Sequence, residues 1–217
     1  MTRLAVFDCD GTLVDGQAAI CTAMEAGFAA AGLAPPARHA IRRIVGLSLP
    51  QAVRLLAPDA SDRQCEMVVA GYKAAFRATR EAGALEEPLF PGIAELLHAL
   101  AERGWALAVA TGKSDRGLAY CLAAHGIAGL FVSLQTADRH PSKPHPAMLK
   151  AAMAEAGAAP ETTVMIGDTG FDMAMAQAAG VRAIGVQWGY HSAAELLADG
   201  AEAVAATPAE LAEMLAR

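Results

Sequence analysis

The chain carries no excess of basic charge. Its 17 lysines and arginines face 23 aspartates and glutamates, for a net charge of −6. Nucleic-acid and polyanion partners leave a basic footprint, so this balance argues against them. It leaves room for a small anionic substrate, because the local field of a site can oppose the net charge. Cysteine is sparse: Cys9, Cys21, Cys65 and Cys121 are scattered, with no Cys-x-x-Cys spacing. That argues against a disulfide framework or a zinc site and for free thiols in a reducing compartment. There is no opening basic-then-apolar signal segment, and the first apolar run is far too short to cross a membrane. The expected location is the cytoplasm, with no membrane partner. No internal repeat or low-complexity segment stands out beyond a general richness in alanine.

What is present is core-forming material. The chain has 217 residues and is 54% hydrophobic, enough to bury a sizeable core as one domain or one domain with a large insertion. The first apolar run, Leu4 to Phe7, ends in Asp8-Cys9-Asp10-Gly11-Thr12. A short apolar run bounded by a turn signal reads as a buried strand of a parallel sheet. Ligands of open α/β sheets bind beyond the carboxyl ends of the strands. Side chains repeat every second residue on a strand, so Asp8 and Asp10 can face one crevice.

After this strand the pattern becomes helical. Stretches from about Gln17 to Gly32, through Ile41 and Ile44, from Pro50 to Leu56, and from Ser61 to about Glu81 show no clear strand. Ser61 and Gln64 have the form of a capping box. This block, 15–88, separates the first strand from all later ones and is read as an inserted helical cap domain. The core domain is then 1–14 and 89–217. From Leu89 onward, helices alternate with apolar runs at Trp105–Ala110, Phe131–Leu134, Thr163–Ile166, Arg182–Val186 and Ala201–Ala205. Strand–helix alternation at this spacing predicts an α/β protein with a doubly wound, Rossmann-like parallel sheet.

Three strands thus end in polar turns: Asp8 to Thr12, Thr111-Gly112-Lys113 and Gly167-Asp168. Lys143 lies in the loop before a further helix. Parallel strands point their carboxyl ends the same way, so these pieces can converge. Carboxylates gathered without a counterion destabilise a site. The absence of cysteine and histidine at these positions favours a hard dication such as magnesium. The hydroxyl of Thr111, the amide of Gly112 and the ammonium of Lys143 are donors suited to phosphate.

Together these motifs resemble the haloacid dehalogenase superfamily of phosphohydrolases, in its phosphoglycolate-phosphatase-like branch. The resemblance rests on Asp8-Cys9-Asp10-Gly11-Thr12, Thr111-Gly112, Lys143 and Gly167-Asp168-Thr169-Gly170-Phe171-Asp172, in order and each after its expected strand. It covers essentially the whole chain. It implies that Asp8 is a nucleophile forming an aspartyl-phosphate and that Asp10 is the general acid and then the base. It implies Mg²⁺ held by Asp8, Asp168 and the backbone carbonyl of Asp10, with Asp172 orienting metal-bound water or Lys143. Thr111, Gly112 and Lys143 would hold the phosphoryl oxygens of a small phosphorylated metabolite.

The segment Arg42 to Ser48 resembles the family's substrate-specificity loop, and Arg42 or Arg43 is a candidate contact to an anionic leaving group. A solvated helix face is an equal reading for each. Lys113 reads as a loop lysine or a weak substrate contact. His140, His145 and His191 read as surface or loop residues, and Met173 and Met175 as packing. A phosphomutase of the β-phosphoglucomutase type is an alternative, disfavoured by Ile20 and Cys21 where that group carries a histidine. A non-enzymatic phospho-acceptor domain is another, disfavoured by the helical insertion after the first strand.

Overall fold

A computed structural model describes residues 1–216. Six parallel strands form one sheet: β1 (Arg3–Phe7), β2 (Trp105–Thr111), β3 (Phe131–Thr136), β4 (Thr163–Gly167), β5 (Arg182–Val186) and β6 (Ala203–Ala205), in the spatial order β3-β2-β1-β4-β5-β6. β1 is central, hydrogen-bonded to β2 on one side and β4 on the other, with Phe7 opposite both Val109 and Ile166. The order reverses there, so the crevice beyond β1 is the switch point at which such sheets place ligands.

Strand alternation sorts the core into two layers. Ala5 and Phe7 of β1 face one layer, packed on Ile93, Leu97 and Leu100 of α5 (Ile93–Glu102), on α6 (Asp115–Ala124) and on α10 (Pro208–Met214). Leu4 and Val6 face the other, against α7 (Ala147–Ala156), α8 (Gly170–Ala179) and α9 (Ala193–Ala198). Both faces of the sheet are covered, which is why its strands read as continuous apolar runs.

The remaining helices, α1 (Gln17–Ala30), α2 (Arg38–Arg43), α3 (Leu49–Leu56) and α4 (Asp62–Glu81), lie between β1 and α5 in sequence. They bury an apolar cluster of their own around Ile20, Met24, Phe28, Ile41, Val53 and Val68. α1 and α4 pack closely enough that a Cβ added to Gly71 would meet the Gly27 Cα at 2.9 Å. Ser61 and Gln64 form the capping box that opens α4. The chain enters and leaves this block through adjoining segments: Asp15 N–H donates to the Pro88 carbonyl at 2.8 Å, Phe90 N–H donates to Leu13 at 3.0 Å, and Val14 bridges Leu89.

The strands fall where the apolar runs placed them. One helix, α9, was not anticipated, although Ser192 and Glu195 form a complete capping box at its start. Its short apolar stretch carries too little periodicity to stand out. No helix among the described residues is long and apolar enough to cross a membrane.

Leu97 is fully buried in the layer beneath β1. Leu97→Ala should lower unfolding stability by about 2–5 kcal/mol through lost burial and the residual cavity. Urea denaturation followed by circular dichroism checks this as a fall in midpoint.

Candidate active site

The carboxyl ends of β1, β2 and β4 bring the separated motifs together. Asp8 continues the parity of Leu4 and Val6 and so faces the layer holding α7 and α8. There its Oδ1 meets the Lys143 Nζ at 2.9 Å, and the same ammonium reaches Asp172 Oδ1 at 2.6 Å. All three side chains are essentially fully buried. Cys9 N–H also donates to Asp8 Oδ1 at 2.6 Å, so at this position the backbone amide contributes rather than the thiol. Asp8 Oδ2 is buried and has no hydrogen-bond partner.

Asp172 sits in the first turn of α8. Its Oδ2 accepts from the Thr169 N–H at 3.1 Å and the Thr169 hydroxyl at 2.8 Å. A carboxylate at a helix N-terminus is favoured by the exposed N–H groups and the dipole. Here it also fixes Lys143 against Asp8. Asp168 follows β4. Thr12 Oγ1 donates to its Oδ1 at 2.8 Å and Tyr190 N–H donates to its Oδ2 at 2.9 Å. No ammonium or guanidinium pairs with Asp168 among the described residues.

Asp8, Asp168 and Asp172 present carboxylate oxygens within 4.8 Å of one another. Burial pushes the Asp8 carboxyl up to about 7, with Lys143 opposing and Asp172 adding to the rise. Burial and the neighbouring charges of Asp8 and Asp172 push Asp168 well above the usual carboxylate range. Lys143 is the one ammonium in this group, and its charge is strengthened by Asp172 and Asp8 despite burial. An all-oxygen donor set, an uncompensated buried carboxylate and an oxygen with no partner fit a hard divalent cation.

Asp10 points elsewhere. Its Oδ1 lies 3.0 Å from Lys113 Nζ, which also meets Glu87 Oε1 at 2.6 Å. Asp10 is raised by burial, which the Lys113 charge opposes and Glu87 reinforces. Lys113 lies in the loop after β2, but its side chain is only 10% exposed, so it is not a solvated loop lysine. A buried carboxylate pair needs a cation between its members, and Lys113 is the one in reach. Glu87 had no sequence signal of its own; only its place beside Pro88 and the linker tied it to the crevice.

Thr111 is buried and lines the same crevice as Gly112 and Asp10. Helical-block backbone lies directly on Gly112: an added Cβ would meet the Gly46 carbonyl at 2.7 Å and come closer still to that of Leu47. Gly46, at φ +101°, passes over Thr169 and Asp8, a conformation glycine adopts without a Cβ penalty. Ser48 N–H donates to the Ser142 hydroxyl at 2.8 Å, next to Lys143. Ile44 to Ser48 therefore line the crevice, but the arginines before them do not. Arg43 Nη1 pairs with Glu195 Oε1 at 2.6 Å on the surface, and Arg42 reaches Gln17 at 3.4 Å. The structure does not bring Arg43 to the crevice: α2 turns its guanidinium outward to the capping-box glutamate of α9.

His191 lies in the loop between β5 and α9, as read from the sequence, but is buried there: it accepts from the Gly170 N–H at 3.2 Å through Nδ1 and lies 3.3 Å from the Arg43 carbonyl through Nε2. Met173 and Met175 are buried in the layer with α7.

Such a fold, with an acidic crevice at its switch point and a helical block over it, is that of an α/β enzyme whose site lies beyond the carboxyl ends of its strands. The chain matches the family described as haloacid dehalogenase-like hydrolase over residues 5–186, and it belongs to that family. A "Probable phosphatase IndB" of Dickeya dadantii is 38% identical over 216 residues, covering 97% of this chain and 92% of that protein. A phosphoglycolate phosphatase of Rhodospirillum rubrum is 32% identical, covering 88% of this chain and 81% of that protein. The crystal structure of a hydrolase from Pseudomonas syringae, at 26% identity, superposes with a TM-score of 0.87 over 100% of this chain and 98% of the other.

A carboxyl raised by folding favours the protonated folded state. Asp8 therefore lends most stability below its ordinary value of 3.8, and loses it as pH rises toward about 7. Without a divalent cation, the melting temperature should fall as pH rises from 4 to 7. Adding the cation should raise it more at pH 7.5 than at pH 5, as differential scanning calorimetry would read.

Proposed function

We propose that this hydrolase is a magnesium-dependent phosphatase acting on a small phosphate monoester through an aspartyl-phosphate on Asp8. The observation that carries the reading is the buried Lys143 clamp, which holds one Asp8 oxygen and leaves the other without a partner. Phosphatase activity in general also follows from the family and from relatives named as phosphatases.

Phosphoryl transfer asks a protein chiefly for positioning and charge neutralisation. Asp8, Asp168 and the Asp10 backbone carbonyl would hold Mg²⁺, which would supply positive charge to the phosphoryl oxygens. Asp172 fixes Lys143. Lys143, the Thr111 hydroxyl and the Gly112 amide would receive those oxygens. A free oxygen of Asp8 forms the bond to phosphorus as the bond to the leaving oxygen breaks. Asp10 gives its proton to that leaving oxygen. Its raised affinity for a proton suits this role, and Lys113 and Glu87 hold it in place. Water then attacks phosphorus, Asp10 takes back a proton, and inorganic phosphate leaves with Asp8 regenerated.

The helical block 15–88 acts as a cap domain in this reading. The close contact of Gly46 and Leu47 with Gly112 shields the phosphoryl site from bulk water.

Asp8→Asn should reduce phosphate release from phosphoglycolate and aryl phosphates by at least about a thousandfold, with the circular dichroism spectrum unchanged. Wild-type turnover in that variant would overturn the assignment. Chelation should abolish activity and Mg²⁺ should restore it, whereas Ca²⁺, with its larger and looser coordination, should not.

A further inference from the structure

The crevice beside Asp10 extends well past the phosphoryl site. It opens into a cavity of about 360 Å³ between the sheet and the helical block, within the range of about 300–1,000 Å³ that encloses drug-sized ligands. Phosphoglycolate would add only a two-carbon acid to the phosphate, far less than this space admits.

The walls are of three kinds. One part carries Asp10, Thr111, Gly112 and the Lys113–Glu87 pair. A second is apolar, with Ile20 and Met24 of α1 and with Tyr72 and Phe76 of α4, whose rings stand 5.1 Å apart and tilted by 34°. A third, also on α4, is cationic. Lys73, Arg77 and Arg80 lie four and three residues apart on α4, a spacing that puts them on one face, and all three line the cavity. None has a carboxylate partner among the described residues. The Arg80 guanidinium rests over the Tyr120 ring at 4.8 Å, and its Nε is buried without a hydrogen-bond acceptor. Besides Asp10 and Glu87, the one carboxylate on the wall is Asp138, which accepts from the Asp115 amide at 2.8 Å.

A protein with more acids than bases has placed three cations without carboxylate partners on this wall beside the apolar residues: Lys73 and Arg77, which are exposed, and Arg80, which is partly buried and whose Nε is the orphaned donor. A buried donor left without an acceptor is costly and calls for a partner. Resting on the phosphatase reading above, we infer that the cavity takes the leaving alcohol of a phosphate ester larger than phosphoglycolate. That alcohol carries a ring-sized apolar body, seated on Tyr72, Phe76 and Met24, and a second anion met by Lys73, Arg77 and Arg80. A carboxylate or a second phosphate supplies the geometry that arginine pairs with in bidentate fashion.

The test uses three esters with the full-length, magnesium-loaded protein: phosphoglycolate, phenyl phosphate and 4-carboxyphenyl phosphate. The two aryl esters share a ring and differ by one carboxylate. The expected order of kcat/KM is 4-carboxyphenyl phosphate, by about tenfold, over phenyl phosphate, with phosphoglycolate below both. The preference should lie in KM. In Arg77→Gln, and in the double variant Lys73→Gln/Arg77→Gln, the ratio between the two aryl esters should fall toward one, with the melting temperature confirming that the fold persists. Equal use of the aryl esters, a ratio untouched in both variants, or a preference for phosphoglycolate would overturn the inference while leaving the phosphatase reading standing. Release of phosphate from none of the three would overturn that reading and this inference with it.

Discussion

The structure depends on one electrostatic constraint: buried carboxylates gathered at the centre of the crevice. Asp8, Asp168 and Asp172 lie within reach of one ion, and burial denies them the solvation that would let three like charges coexist. Lys143, wholly buried, offsets part of this by bridging Asp8 and Asp172. Thr12 and the Tyr190 amide bond to Asp168 without neutralising it. The chain can tolerate such a centre only because the sheet behind it is rigid, with β1 held on both sides and both faces packed. Accumulated charge of this kind is retained for chemistry, since a protein seeking stability alone would fill the space with apolar side chains.

A second, smaller balance sits beside the first. Asp10 and Glu87 share Lys113. Glu87 belongs to the segment that returns from the helical block, and its carbonyl lies 2.7 Å from the His125 ring nitrogen of the α6 terminus. Asp10 is thus tied to the linker through one lysine, so the position of the block and the setting of the acid share a physical connection. The loop from Ile44 to Ser48 adds another tie, since its backbone rests on Gly112 and its Ser48 amide bonds beside Lys143.

The main-chain plan was legible in the sequence because each level of pattern agreed. Continuous apolar runs of four to six residues gave the strands, and polar glycine turns marked the ends at which they meet. That Asp8, Lys143 and Asp168 converge followed from topology, since parallel strands carry their ends to one side, whereas Asp172 came only with the family resemblance. What escaped notice lies in three-dimensional pairing. Lys113 looks like any loop lysine until Asp10 and Glu87 are seen on either side. Arg43 looked available to a ligand because nothing in sequence reveals that Glu195, 152 residues away, claims it. The cation row of α4 has ordinary helical spacing, and only the cavity it lines distinguishes it from a solvated face.

The twin linkers have a wider implication. Val14 and Leu89 cross between the two lobes side by side, joined through backbone hydrogen bonds. Everything from one to the other could be lengthened, shortened or exchanged without moving a single sheet strand. An ancestral catalytic floor could in this way acquire new tastes by grafting different roofs at one seam, keeping Asp8, Lys143, Asp168 and Asp172 below while the setting of Asp10 changes with whatever takes the place of Glu87.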